Sequence, residues 1–199
     1  MSIRYAALRD ARVLAIFALI AASILLGLQT FTSDRIEANK RSVLERTLNE
    51  VLPPQTFSNE PLMDKKTLTD TNVQRTVYPA YIDNEPAAVA VSAVAPDGYA
   101  GEIALLIGIS FEGYLTGVRV VTHQETPGLG DKIDRSKSNW IVSFNGKSIL
   151  DDTAWSVKKD GGDFDQFTGA TITPRAIVNT VSRTLQWYHN NRQRIFERR

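Results

Sequence analysis

The chain contains no cysteine. That absence excludes thiolate-ligated iron–sulfur clusters, c-type haem attachment, thiolate catalysis and disulfide bonds. Histidine is scarce as well. His123 and His189 are the only 2, too few for a multi-histidine metal centre. Charge of one sign is also lacking: 23 basic and 22 acidic residues leave a net charge of +1, so no global basic field points to nucleic acid. Neither an internal repeat nor a low-complexity tract is visible. A chain of this composition that moved electrons would need an organic cofactor.

What is present begins with a long apolar run. With 199 residues, 43% hydrophobic and 23% charged, there is enough chain for one domain of ordinary size plus appendages. Residues 1–12 form a short polar lead with Arg4, Arg9 and Arg12. Residues 13–31 carry no charge and reach roughly the 20 residues needed to span a bilayer. A secretory signal peptide and a buried globular helix share these marks. The exit, Leu28-Gln29-Thr30-Phe31-Thr32-Ser33, has no Ala-x-Ala-like cleavage site, so the run reads as an uncleaved anchor. Its orientation does not follow from charge, because Arg35, Lys40, Arg41 and Arg46 balance the arginines in front of it.

Residues 32–75 read as a stalk helix and a linker. Ser33 or Asp34 is a suitable cap, and Ile36, Val43, Leu44, Leu48 and Val51 fall on one side. Pro53-Pro54 then stops the helix, and Gln55 to Arg75 is polar and aperiodic, a linker or an irregular edge. From Thr76 the pattern turns to period two. Thr76 to Ile82 and Ala88 to Ala95 flank Asp83-Asn84-Glu85-Pro86, while Glu102 to Ser110 and Leu115 to Thr122 flank Phe111-Glu112-Gly113-Tyr114. Two consecutive hairpins predict a twisted, largely antiparallel sheet, to which Trp140 to Phe144 adds a short strand. Near the end, Thr173 is a good cap and Pro174 suits the first helical position, so the helix starts at Pro174. Ile177, Val181, Leu185 and Tyr188 continue that helix to about Asn190. The fold class is α+β, with residues 76–199 as the domain.

Two short segments carry the chemistry. The first is Asp165-Gln166-Phe167-Thr168-Gly169-Ala170-Thr171, which ends just before the last helix. Unpaired N–H groups and the positive dipole end make that position hospitable to a phosphate. Gly169 and Ala170 leave room beside the Thr171 hydroxyl. The second is Glu125-Thr126-Pro127-Gly128-Leu129-Gly130, directly after a strand. Its glycine and proline density shapes a loop with backbone donors. It lacks the third glycine and the following helix of a dinucleotide fingerprint.

The Asp-x-x-Thr-Gly-Ala-Thr segment resembles the flavinylation motif of FMN-binding domains in membrane electron-transport complexes. Glu-Thr-Pro-Gly-Leu-Gly resembles a segment that the same family carries upstream. The resemblance implies that Thr171 bears FMN through a phosphoester installed from FAD by an FMN transferase. Asp165, Thr168, Gly169 and Ala170 would be the recognition context. It further implies that Glu125, Thr126, Gly128, Leu129 and Gly130 lie beside the isoalloxazine ring, with backbone donors at its polar edge. Over its whole length the chain is similar to the G-type members of Rnf/Rsx ion-translocating electron-transport complexes. The C-type member of the sodium-translocating NADH:quinone reductase is the nearest rival, but it is longer between anchor and flavin domain.

An electron relay follows from that resemblance, with no catalytic residue and no metal. It would work among other membrane subunits that couple ferredoxin and NAD redox chemistry to ion movement. A cytoplasmic tail, an inner-membrane anchor and a periplasmic domain follow as well. An anchored scaffold or sensor without cofactor is the rival from another class. His123 as proton donor and Trp140 or Trp155 as ring-stacking partners stand against their commoner roles in packing. Asp151-Asp152 and Lys158-Lys159-Asp160 read as solvated turns, and the basic terminus after Arg192 as a frayed helical tail.

Overall fold

A computed structural model describes residues 2–52, 57–70 and 73–197. The chain divides into two compact units, Met1–Val43 and Leu44–Arg199. Pro53 and Pro54 lie outside the described residues.

The first unit is helical. It is the greater part of α1, Ser2–Val51, whose stretch from Leu14 reaches a mean hydropathy of 2.2 and is long and apolar enough to cross a membrane. Leu14, Phe17, Leu25 and Phe31 are exposed, and no described residue covers them. Ser23, Thr30 and Thr32 donate their hydroxyls to the carbonyls of Leu19, Leu26 and Leu28, one turn back. Polar side chains thereby travel inside an apolar helix without a break. This corrects the expectation of a new helix capped at Ser33 or Asp34. Ser33 donates to the Thr30 carbonyl instead, and no glycine or proline interrupts residues 28–52.

The second unit holds a five-stranded antiparallel sheet in the order β1-β2-β3-β4-β5. Its strands are β1 Lys66–Asp70, β2 Val73–Ile82, β3 Glu85–Ala95, β4 Ile103–Ser110 and β5 Leu115–Thr122. The first hairpin turns tightly. Asp83 and Asn84 take φ of 47° and 73°, the signs a two-residue type I′ turn demands, so Glu85 pairs with Ile82 inside the strand. Pro86 is accommodated because the β2–β3 register shifts between Ala80 and Tyr81.

Strand β1 is a departure from expectation, since its residues read as linker. Lys66 to Asp70 pair in register with Val77 to Val73. The strand lies at the sheet edge, and its Thr67 and Thr69 face solvent, which is why no apolar alternation marked it. Trp140–Phe144 is also not a strand but a 3-10 turn. Ile141 and Phe144 point inward from it at three-residue spacing, and Trp140 packs against Phe144 with centroids 5.3 Å apart.

Both faces of the sheet are covered. Val77, Val89, Val91, Leu105 and Ile107 pack beneath α2, Ile172–Phe196, against Ile177, Val181, Leu185 and Tyr188. On the opposite face Tyr78, Ala80, Ala88, Ala90 and Leu106 meet Leu48, Val51 and Leu52. Alternate residues thus serve two separate cores, which explains the nearly unbroken apolar runs of β3 and β4. The second core needs a close approach. Gly108 and Gly117 face each other across β4 and β5; a Cβ on Gly108 would collide with the Val51 carbonyl, and one on Gly117 would press on the Val51 backbone. Thr116 Oγ1 donates to the Val51 carbonyl at 2.5 Å, closing the seat.

Helix α2 begins at Ile172, with Thr171 rather than Thr173 at its cap position. Proline stands third in the helix, still within the turn whose N–H groups lack partners. The helix also continues past Asn190. Ile195 and Phe196 are buried, the Phe196 ring meets Tyr81 and Phe111, and Lys66 Nζ donates to the carbonyls of Ile195 and Glu197. A lysine on terminal carbonyls is a favourable C-terminal contact, so this end is anchored rather than frayed.

Candidate functional site

The two motifs meet at the start of α2. Each is built on a four-residue turn. In the first loop, Leu129 N–H donates to the Thr126 carbonyl at 3.1 Å, and Gly128 takes φ of +79°. In the second, Ala170 N–H donates to the Phe167 carbonyl at 3.1 Å, and Gly169 takes φ of +82°. Both glycines occupy the turn position that requires a positive φ. Leu129 reaches towards the second turn: its Cδ2 lies 3.7 Å from where a Cβ on Gly169 would stand.

Between the turns lies a cleft of about 380 Å³. That is within the roughly 300–1,000 Å³ typical of ligand sites. Glu125, Thr126, Leu129 and Gly130 line it on one side, and Gly169, Ala170 and Thr171 on the other. Of the candidate residues, Gly128, Thr168 and Asp165 do not line the cleft; all three are exposed. Sequence reasoning missed Tyr99, Ile172 and Thr173, which complete the lining. Only Ile172 and Thr173, immediate neighbours of the motif, carried a signal of proximity.

Thr171 is partly buried and makes no capping hydrogen bond with its side chain, so its hydroxyl remains uncommitted at the cleft wall. The first turn of α2 contains no acidic residue of its own; the Glu125 carboxylate stands against it, accepting from Thr173. Pro174 contributes no N–H, which leaves those of Ile172 and Thr173 facing the start.

Glu125 is 5% exposed and does not face the cleft as a free acid. Its Oε1 accepts Ala100 N–H at 3.1 Å and its Oε2 accepts the Thr173 hydroxyl at 2.5 Å. A buried carboxylate needs such donors, and this one takes Thr173 away from the cap role its sequence position suggested. The expectation of a donor-rich loop is corrected too. Gly128 N–H goes to Asp131 Oδ1 at 2.8 Å, while Leu129 and Gly130 N–H share the Thr126 carbonyl. The Glu125 N–H goes to His123 Nδ1 at 3.0 Å. These donors hold the loop's own shape.

His123 also meets Asp134 through Nε2 at 3.1 Å. With Nδ1 accepting from Glu125, it is a strut between loop segments. The tryptophans pack. Trp140 Nε1 donates to the Asp165 carbonyl at 2.7 Å, and its ring meets Phe167 with centroids 5.1 Å apart. Trp155 lies against Phe144 and Phe164.

The turn Lys158–Asp160 is more than a solvated corner. Lys158 Nζ pairs with Asp165 at 2.7 Å, Lys159 N–H donates to Gln166 Oε1 at 3.2 Å, and Asp160 binds Arg175 through both oxygens at 2.6 and 3.0 Å. Its hydrogen bond with Arg175 holds the Asp160 carboxyl below the usual carboxylate range. Three consecutive residues thus grip the motif at its start and α2 one turn beyond Thr171.

Residues 98–186, which hold both motifs, β4, β5 and the first part of α2, match the family model described as FMN-binding domain. Residues 1–51 match a second model, described as RnfG N-terminal region. The G subunit of the ion-translocating oxidoreductase complex of Pseudomonas aeruginosa strain UCBPP-PA14 is 45% identical over 199 residues, covering 96% of this chain and 93% of that one. Its counterpart in Shewanella baltica is 45% identical over 196 residues, with 95% and 92% covered. That of Vibrio cholerae strain ATCC 39541 is 42% identical over 194 residues, with 94% and 92% covered. The chain belongs to this family, the G subunits of ion-translocating oxidoreductase complexes.

Proposed function

We propose that this protein is a membrane-anchored flavoprotein that relays electrons through FMN bound covalently to Thr171, within an Rnf-type complex coupling ferredoxin and NAD redox chemistry to ion translocation. The observation that carries the reading is the meeting of the two motifs around one cleft, with the uncommitted Thr171 hydroxyl in its wall. The residues present fit the group. Thr171 Oγ1 is placed for a phosphoester, the first N–H groups of α2 suit a phosphate, and Gly169 and Ala170 leave space next to it. Leu129 and Ile172 supply apolar wall, and buried Glu125 holds the loop against α2.

When bound, FMN supplies a carrier that accepts electrons singly or in pairs. The chain's own part is to hold it. Phe164 and Phe167 are buried beneath the attachment segment, so Thr171 is presented from a fixed base. An FMN transferase would form the bond from FAD, with AMP leaving as the Thr171 oxygen takes its place. Asp165, exposed at the start of the motif, is accessible to that enzyme. The apolar stretch of α1 anchors the protein in the inner membrane, with the flavin domain on the periplasmic side. Covalent attachment has a plain use there, because a dissociated cofactor would be diluted and lost.

Intact mass of protein purified from cells that contain the transferase tests the reading. The expected mass exceeds that of the sequence by one FMN less one water, and the excess maps to the peptide bearing Thr171. Material with the bare sequence mass and no flavin absorption would favour a cofactor-free scaffold role.

A further inference from the structure

We propose that Tyr99 is the aromatic surface on which the isoalloxazine ring rests, a ring-contact residue that neither motif contains. The inference rests on the reading of Thr171 as the attachment point. A phosphoester fixes only one end of FMN, and the ribityl chain leaves the ring several rotatable bonds away, so a separate surface has to receive it. Tyr99 is the aromatic residue in the cleft wall. It is 69% exposed, and its meaning lies in the apolar neighbours that share the wall with it. Leu129 and Ile172, 46% and 45% exposed, stand in the same wall. Together they give the mouth of the cleft an apolar, flat-sided lining suited to a fused aromatic ring.

The turn bearing Tyr99 is also held in place. Ala100, its neighbour, donates its N–H to Glu125 Oε1, and Glu125 Oε2 accepts from Thr173, two residues past the attachment point. One buried carboxylate therefore fixes the spacing between the phosphate end and the aromatic surface. Tyrosine adds a property that leucine lacks: a phenol in contact with a photoexcited flavin donates an electron to it and quenches its emission.

The test uses the full chain in detergent, produced with the transferase, as parent, Tyr99→Phe and Tyr99→Leu. Flavin per protein is read from fluorescence on a denaturing gel, and ring environment from native fluorescence and visible circular dichroism. The expected result is parental flavin content in both variants. Tyr99→Phe becomes several-fold brighter yet keeps the parental dichroism, because stacking survives and the phenol donor is gone. Tyr99→Leu becomes bright and loses the dichroic band. Parental brightness in flavin-loaded Tyr99→Phe overturns the proposal, even if Tyr99→Leu proves too unstable to purify. A parent protein without covalent flavin sinks the Thr171 reading itself, which is a distinct result.

Discussion

Glu125 and Thr173, 48 residues apart, share a buried hydrogen bond of 2.5 Å between carboxylate and hydroxyl. The bond ties the loop after β5 to the first turn of α2, on either side of the cleft. Thr173→Val keeps the shape and removes the donor, leaving Glu125 with Ala100 N–H alone. The expected cost is about 1–3 kcal/mol, the usual result of stranding a buried acceptor. Denaturant unfolding checks it; a variant as stable as the parent would show that Glu125 finds another donor.

Thr171→Ala is expected to abolish covalent flavin without loss of fold. Replacing a helix cap by alanine ordinarily costs about 1 kcal/mol. Here the Thr171 side chain makes no capping bond, so stability should stay within about 0.5 kcal/mol of flavin-free parent. A fluorescent Thr171→Ala band on a denaturing gel would move the attachment elsewhere.

Asp165→Ala separates recognition from stability. Its ion pair with Lys158 has side chains 70% and 58% exposed, and such pairs contribute about 0–1 kcal/mol. Flavin per protein is expected to drop by a much larger factor than this small loss of stability implies. Lys158→Ala is the control, since it removes the same ion pair and leaves the motif intact. Equal loss of flavin in both variants would attribute the effect to the ion pair.

Topology is open to a direct test. A reporter active only in the periplasm, fused after Arg199, is expected to be active. Activity solely from a cytoplasmic reporter would reverse the orientation and remove the retention argument.

Alkaline pH should loosen the domain through Tyr188. Its phenol is 2% exposed and donates to the Phe111 carbonyl at 3.0 Å, and burial raises its pKa well above the ordinary value. The unfolded chain ionises this group near pH ~10 while the folded chain keeps it neutral. The stabilising contribution is thus complete below that pH and is lost as pH rises through it towards the raised folded value. Burial moves Tyr78 in the same direction. Tyr188→Phe is expected to flatten this alkaline decline, although it costs about 0.5–1.5 kcal/mol at neutral pH for the lost hydrogen bond. An unchanged alkaline slope would assign the decline to other groups.

What could be read from the sequence was local. Asp83-Asn84 and the period-two runs around it announce a hairpin, and Pro-Gly and Thr-Gly-Ala announce turns, because backbone sterics act over two or three residues. That the two motifs share one site was implied by the family resemblance and by no local signal. Strand β1 was not legible, because Lys66 to Asp70 owe their conformation to pairing with β2 at a polar edge. Trp140–Phe144 carries strand-like residues yet coils into a 3-10 turn to deliver Ile141 and Phe144 to the core. Tyr99 is brought to the cleft by a turn tied through Ala100 to Glu125, 25 residues on. No window on the chain contains that information, and the inward use of the loop's N–H groups was hidden for the same reason.

The seat that Gly108 and Gly117 make for Val51 decides where the soluble portion can be cut free. A truncation that starts at residue 57 or 76, as the reading of a separate linker invites, would strip Leu48, Val51 and Leu52 from one whole side of the sheet. Tyr78, Ala80, Ala88, Ala90 and Leu106 would then meet water, and such a fragment would be sticky whatever its flavin content. The fragment that keeps its own lining begins at Leu44, inside the helix that also carries the anchor. In this protein the membrane helix lends its last two turns to the domain it tethers.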